Sequence, residues 1–215
     1  MQQITEQLVE AALPHVPFDG WSDDTFRAAC ADLGVPESLA RIHCPRAGLD
    51  LAIAAHMMGD AELARQLAAS DLSAMRFRDR VIHAVMLRLA IAGDPEVVRR
   101  ATTLMALPHL APEGARLIWH TADTIWTALG DRSDDLNWYS KRATLAAIHG
   151  ATVLFWLGDH SDEHAETRDF LARRIDDVMS FEGTKARLRG NPLTAPLMGL
   201  QARIAGLVRA PGRKD

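Results

Sequence analysis

The most metal-like cluster of side chains in this 215-residue sequence is His160 and His164, four apart, with Asp162, Glu163 and Glu166 nearby. Two imidazoles and three carboxylates could supply ligands. However, they straddle an expected helix start, where acids gather because the first turn favours negative charge. A solvated first turn is the reading, and no metal site is expected. Within the helical stretches no Glu-x-x-His pair occurs, so a di-iron carboxylate centre has no support. His120 and Asp123 share a helix face and read as a satisfied buried pair. Phosphate-binding loops, dinucleotide fingerprints and Gly-x-Ser-x-Gly elbows are all missing. Two cysteines, Cys30 and Cys44, make neither a disulfide framework nor a thiolate zinc site. No catalytic residue, metal or cofactor is expected, and the chain does not read as an enzyme.

Side chains suited to binding are better represented. Trp119, Trp126, Trp138 and Trp156 fall between residues 119 and 156. Leu117, Ile118, Ala122, Ile125, Trp126 and Leu129 recur at helical spacing. Ala143, Ala146, Ala147, Gly150 and Ala151 form a run of small residues on the next helix. Small residues permit close helix packing or leave a channel, so a plain core and a cavity for a long apolar ligand both remain open. Six methionines (Met57, Met58, Met75, Met86, Met105 and Met179) suit either reading, because thioethers adapt to irregular or flexible surroundings. The expected lipid-lining set is Ile118, Trp119, Ala122, Ile125, Trp126, Ala147, Gly150 and Met179.

Asp135, Trp138, Tyr139 and Arg142 stand at i, i+3, i+4 and i+7, on one side of a helix. An aromatic pair flanked by an acid and an arginine has the composition of an interface hot spot. The alternative is burial of Trp138 beside a local Asp135–Arg142 ion pair.

Near the C-terminus, Leu193, Leu197, Leu200, Ile204, Leu207 and Val208 draw one apolar stripe along a helix of about residues 193–209. Arg203 and Arg209 flank it. A basic amphipathic helix suits an anionic membrane surface, and docking on the protein body is the alternative. The net charge of −4 conceals this end. Residues 1–60 carry three basic and nine acidic residues, and residues 184–215 carry seven basic and one acidic. The head is therefore −6 and the tail +6.

The elements that must position these groups read as all α-helix, about ten of them, rich in Ala, Leu and Arg. Ser22 precedes Asp23 and Asp24 as an N-cap, opening a helix to Leu33 that stops at Gly34. A short helix follows over 36–42. Then come 46–58, a break at Gly59-Asp60, a helix to 69, and helices over about 74–92, 96–107, 112–129, 134–157 and 161–181. Gly130, Gly158 and Gly183 are expected to close the last three. The domains read as 1–58, a helix-turn-helix unit; 59–183, a helical lipid-binding and dimerisation unit; and 184–215, the basic amphipathic end. The first twenty residues have neither the charge nor the apolar pattern of a signal or transit peptide. No uncharged apolar run reaches the roughly 20 residues that span a bilayer.

Leu33-Gly34-Val35, followed by Cys44-Pro45-x-x-Gly48-Leu49, resembles the N-terminal domain of TetR-type regulators. DNA binding would follow from that resemblance, but the charge opposes it. Phosphate neutralisation by Lys and Arg supplies most non-specific affinity, and residues 1–60 carry −6. The second helix of the motif, Pro36–Ile42, offers one arginine and one glutamate. The expectation is a helix-turn-helix that packs but does not bind nucleic acid.

Three further stretches carry a more specific resemblance. Asp135-Leu136-Asn137-Trp138-Tyr139-Ser140-Lys141-Arg142-Ala143-Thr144-Leu145-Ala146-Ala147-Ile148 closely resembles the ninth coenzyme Q biosynthesis protein family. Phe170-Leu171-Ala172-Arg173-Arg174-Ile175-Asp176-Asp177 and Leu197-Met198-Gly199-Leu200 resemble it too. The resemblance implies a TetR-like fold, a homodimer and a non-enzymatic protein that binds phospholipid or isoprenoid quinone. It implies a partner, the demethoxyubiquinone hydroxylase or another quinone hydroxylase, docked at Asp135, Trp138, Tyr139 and Arg142. It also implies membrane binding through the helix of Leu193–Arg209. The absence of a transit peptide suggests a bacterial member, cytoplasmic and peripheral on the inner membrane. The expected function is a lipid-binding accessory protein of ubiquinone biosynthesis that presents quinone intermediates to a membrane-associated hydroxylase. The alternative is a TetR-type DNA-binding regulator with a lipid ligand.

Overall fold

A computed structural model describes the backbone of residues 2–189 and the side chains of residues 3–180. Among the described residues there are ten α-helices and no strand. They are α1 (Gln2–Ala12), α2 (Val16–Asp19), α3 (Asp23–Asp32), α4 (Glu37–His43), α5 (Gly48–Ala69), α6 (Phe77–Ala92), α7 (Pro95–Met105), α8 (Ala111–Ala128), α9 (Leu136–Trp156) and α10 (Ala165–Arg189). The amphipathic helix expected at Leu193, Leu197, Leu200, Ile204, Leu207 and Val208 lies outside the described residues.

Local signals set most boundaries. Ser22 Oγ accepts from Thr25 N–H at 3.2 Å and starts α3. Asp94 and Asp135 cap α7 and α9 by accepting from the amides of Glu96 and Asn137. Gly34 and Gly130 take the left-handed conformation, at φ 63° and 81°. Gly158 does not, and α10 runs through Gly183 to Arg189. The expected closure at Gly183 is corrected, whereas α9 does end before Gly158, at Trp156, without a left-handed cap. Two helices had no sequence forecast. The short α2 is one, and α1, which buries Leu8, Val9 and Ala12, is the other.

The largest correction is at Gly59-Asp60, where α5 continues unbroken for 22 residues. A β-carbon at position 59 would stand 2.9 Å from the guanidinium carbon of Arg88. Glycine here admits a side chain from α6 rather than ending a helix. Asp60 is fully buried as that arginine's partner.

Two main cores stack along α5. The first gathers Leu8, Val16, Phe26, Ala29, Cys30, Ala40 and Leu51, from α1 to the start of α5, with Val97, Ala101 and Leu104 of α7 against it. The second gathers Leu63, Leu67, Val85, Ala122, Ile125, Leu145, Leu171 and Ile175, from α5, α6, α8, α9 and α10. Since α5 contributes to both, the helix-turn-helix and the larger bundle share one rod.

Candidate functional site

A cavity of about 690 Å³ lies between the two cores. That volume falls within the usual range for small-molecule sites. Its wall is largely apolar and is drawn from α1, α5, α6, α7, α8 and α9, including Val9, Ala52, Met58, Ile91, Val98, Met105, Leu117 and Val153. Part of this wall, from α1, Trp21 and the first half of α5, lies outside residues 59–183, the expected lipid-binding unit.

Of the expected lipid-lining residues, Ile118 and Gly150 border this cavity. They also approach one another, since a β-carbon at 150 would be 3.7 Å from Ile118 Cδ1. Ala122 and Ile125 are buried in the second core instead. Trp126 is half-buried and stacks on Phe77 at 5.6 Å, and its Nε1 donates to the Lys141 carbonyl at 3.1 Å. Trp119 pairs with Trp138, ring centres 6.0 Å apart. Ala147 and Met179 are exposed. Among the methionines, Met58 and Met105 line the cavity.

The polar part of the wall was not foreseen. It contains His56, Glu62, Arg88 and His149, with the buried Asp60 behind them. Asp60 accepts from Arg88 Nε at 2.7 Å, from Thr121 Oγ1 at 2.9 Å and from His120 Nδ1 at 2.7 Å. His56 Nε2 stands 2.9 Å from Thr121 Oγ1 and 3.5 Å from Asp60. Burial alone would raise the Asp60 pKa. The hydrogen bond to His56 and the Arg88 guanidinium outweigh burial and hold the carboxyl well below its ordinary range. His149 is buried on α9 and its Nδ1 has no hydrogen-bond partner. Desolvation, followed by the charges of Arg88 and His56, lowers its pKa to about 3. At neutral pH this imidazole is uncharged. The expected His120–Asp123 pair is not formed: His120 reaches across to Asp60, and Asp123 accepts from Arg142 Nε.

A second constellation lies at the start of α9. Trp138 and Tyr139 are half-buried, with ring centres 4.8 Å apart in an edge-on arrangement. Asp135 is exposed and serves α9 as its cap, also accepting from the Asn137 side chain at 2.8 Å. Arg142 is buried, with its guanidinium 4.0 Å from the Trp138 ring centre. It donates to Asp123, to Asp131 at 3.0 Å and to the Trp138 carbonyl at 3.3 Å. Arg142 therefore braces Trp138 from beneath, and the local Asp135–Arg142 ion pair is not made. Lys141 Nζ holds Asp131 at 2.8 Å from the other side. Burial raises the Asp131 pKa, but the hydrogen bonds from Lys141, Ser133 and Arg142 bring it down to about 2. The connection before α9 is clamped to the helix through this one carboxylate.

The remaining candidates are quickly placed. His164 stands 3.9 Å from Asp159 and edge-on to Trp156. Among the described residues, no group of three or more His, Cys, Asp or Glu side chains could hold a metal. Both cysteines are free and buried. Among the described residues, no helix is long and apolar enough to cross a membrane. On the helix-turn-helix, each arginine is already held by carboxylates. Arg27 pairs with Asp24, Arg41 with Asp23 and Glu37, and Arg46 with Asp50 and Glu113.

The family model described as COQ9 matches residues 111–182, which span α8, α9 and most of α10. Human ubiquinone biosynthesis protein COQ9, mitochondrial, is 29% identical over 216 residues, covering 96% of this chain and 68% of that protein. The Dictyostelium discoideum protein, a probable ubiquinone biosynthesis protein coq9, mitochondrial, is 30% identical over 187 residues, covering 80% of this chain and 59% of that one. Among solved structures, the TetR transcriptional regulator from Nitrosomonas europaea superposes with a TM-score of 0.66 over 81% of this chain and 97% of its own, at 20% identity. That likeness shows the fold: the all-α, TetR-regulator-like architecture expected from the sequence is the one observed.

Proposed function

This chain is related to the COQ9 proteins of ubiquinone biosynthesis, and we propose that it serves that pathway as a non-enzymatic lipid carrier. The observation that carries the proposal is the cavity of about 690 Å³ with its largely apolar wall. Burial of apolar surface stabilises a bound chain by roughly 25 cal/mol per Å². A wall of aliphatic and thioether side chains fits an isoprenoid or acyl chain of variable bend. The ligand is a phospholipid or an isoprenoid quinone, and the carrier presents quinone intermediates to a quinone hydroxylase.

The docking face in this proposal is Asp135, Trp138 and Tyr139, with Arg142 as the brace beneath. Two half-buried rings held rigid by a buried cation provide contact area at low ordering cost. Membrane attachment is assigned to Leu193, Leu197, Leu200, Ile204, Leu207 and Val208, which makes the protein peripheral on an anionic bilayer. A homodimer belongs to the same proposal.

Purified protein extracted into organic solvent and examined by mass spectrometry should yield a phospholipid or polyprenyl quinone in near-stoichiometric amount. An extract without lipid, from protein expressed in a quinone-producing host, would overturn the carrier reading.

A further inference from the structure

Apart from Thr102, the polar side chains of the cavity wall are His56, Glu62, Arg88 and His149. His149 comes from the buried side of α9 and is 4% exposed, yet its Nδ1 has no hydrogen-bond partner. That nitrogen is shut off from solvent, so a ligand in the cavity can meet only the ring's other nitrogen, Nε2. Arg88 is differently placed. It already faces its counter-charge, Asp60, at 2.7 Å, and Gly59 leaves the space its guanidinium fills. The carboxylate beneath it is itself saturated by Arg88, His120 and Thr121. Glu62, the other carboxylate of the wall, is held by Arg65 at 2.5 Å, so Arg88 and Glu62 each already face a counter-charge. An anion entering here would lose its hydration and meet Asp60 as well as Arg88.

We propose that His149 is the head-group recognition residue of this cavity, and that it selects a lipid whose head is an uncharged oxygen, a hydroxyl or a carbonyl, over one with a phosphate. The proposal rests on the carrier reading above and adds which end of the lipid is read, and by which side chain. An uncharged imidazole has one N–H and one lone pair. A shut-off lone pair costs less than a shut-off N–H. The proton therefore belongs on Nε2, with Nδ1 the buried acceptor, so that the ring offers one uncharged donor to a ligand oxygen. The low pKa of His149, about 3, keeps it in that form at neutral pH. The chain of the ligand then lies along Met58, Val98 and Met105 on the neighbouring walls.

The test uses two probes with the same tail, geranylgeraniol and geranylgeranyl phosphate. Binding to delipidated full-length protein is followed by tryptophan fluorescence, since Trp21 borders the cavity. The alcohol should bind about tenfold more tightly than the phosphate, a difference of about 1.4 kcal/mol. His149→Leu should weaken the alcohol about tenfold and leave the phosphate unchanged, erasing the preference. His149→Asn, which keeps an uncharged donor, should retain much of it. Equal affinity of the native protein for the two probes, or a preference surviving in a folded His149→Leu, overturns the head-group assignment while leaving the carrier reading intact. Failure of both probes to bind overturns the two together.

Discussion

At the residue scale, the molecule hides its polarity. Asp60, Arg88, Arg142 and His149 are all buried, and each lies on a helix that looked apolar or interrupted in sequence. Three of them are matched: Asp60 to Arg88, His120 and Thr121, and Arg142 to Asp123 and Asp131. His149 is not, and this gives a pH signature. Its pKa falls from an ordinary 6.5 to about 3 on folding. Between those values the unfolded chain takes up a proton that the native protein refuses. Stability is therefore lost as pH drops below 6.5, and above 6.5 this group contributes no pH dependence. The slope from one such proton approaches about 1.4 kcal/mol per pH unit. Urea midpoints of the native protein and His149→Leu should run parallel above pH 7 and diverge between pH 6 and 4, with the native protein falling faster. Parallel curves throughout would show that His149 charges freely in the folded state.

At the element scale, the sequence disclosed the helices better than their inner faces. Capping residues are local, so Ser22, Asp94 and Asp135 could be read at sight or nearly so. The buried face of α9 could not be, because it consists of Arg142, Leu145, His149, Thr152 and Trp156. A search for apolar periodicity finds instead Ala143, Ala147 and Ala151, which are exposed. The aromatic face at Trp138 and Tyr139 was legible from spacing alone. Its brace was not, since Asp131 and Asp123 reach Arg142 only through tertiary folding. Gly59-Asp60 misleads for a similar reason: a turn-forming pair in isolation becomes a docking slot once α6 supplies Arg88. This leads to a prediction with opposed local and tertiary terms. Gly59→Ala gains about 1 kcal/mol of helix propensity. It also forces the Arg88 guanidinium off Asp60, and disrupting a buried ion pair costs about 3–5 kcal/mol. The variant should be destabilised by about 2–4 kcal/mol, lowering its melting temperature by roughly 4–16 °C. An unchanged or raised melting temperature would mean that Arg88 yields without losing its partner.

At the scale of the whole molecule, a regulator's architecture carries a charge distribution unsuited to a regulator's task. Through α1, Trp21 and the shared α5, the N-terminal unit forms one wall of the cavity, with Val9 and Trp21 bordering the same space as Met105 and Val153, while α3 and α4 supply none of its lining. A ligand there touches both halves at once, a geometry from which a repressor could signal. Against that reading stand the few basic residues of the N-terminal unit and their pairing. Arg27, Arg41 and Arg46 are the basic residues of the first sixty, and each is spent on carboxylates of this chain. Releasing them to phosphates would expose a net charge of −6 to a polyanion. The basic residues of 184–215 could still attract DNA without reading it, so the comparison must separate the two ends. In a gel shift with mixed-sequence duplex at 150 mM salt, the full chain should give no discrete complex at micromolar concentrations. Whatever association appears at 20 mM salt should vanish when residues 184–215 are removed. A salt-resistant, sequence-dependent shift retained by residues 1–183 would instead place recognition on α4 and restore the repressor reading.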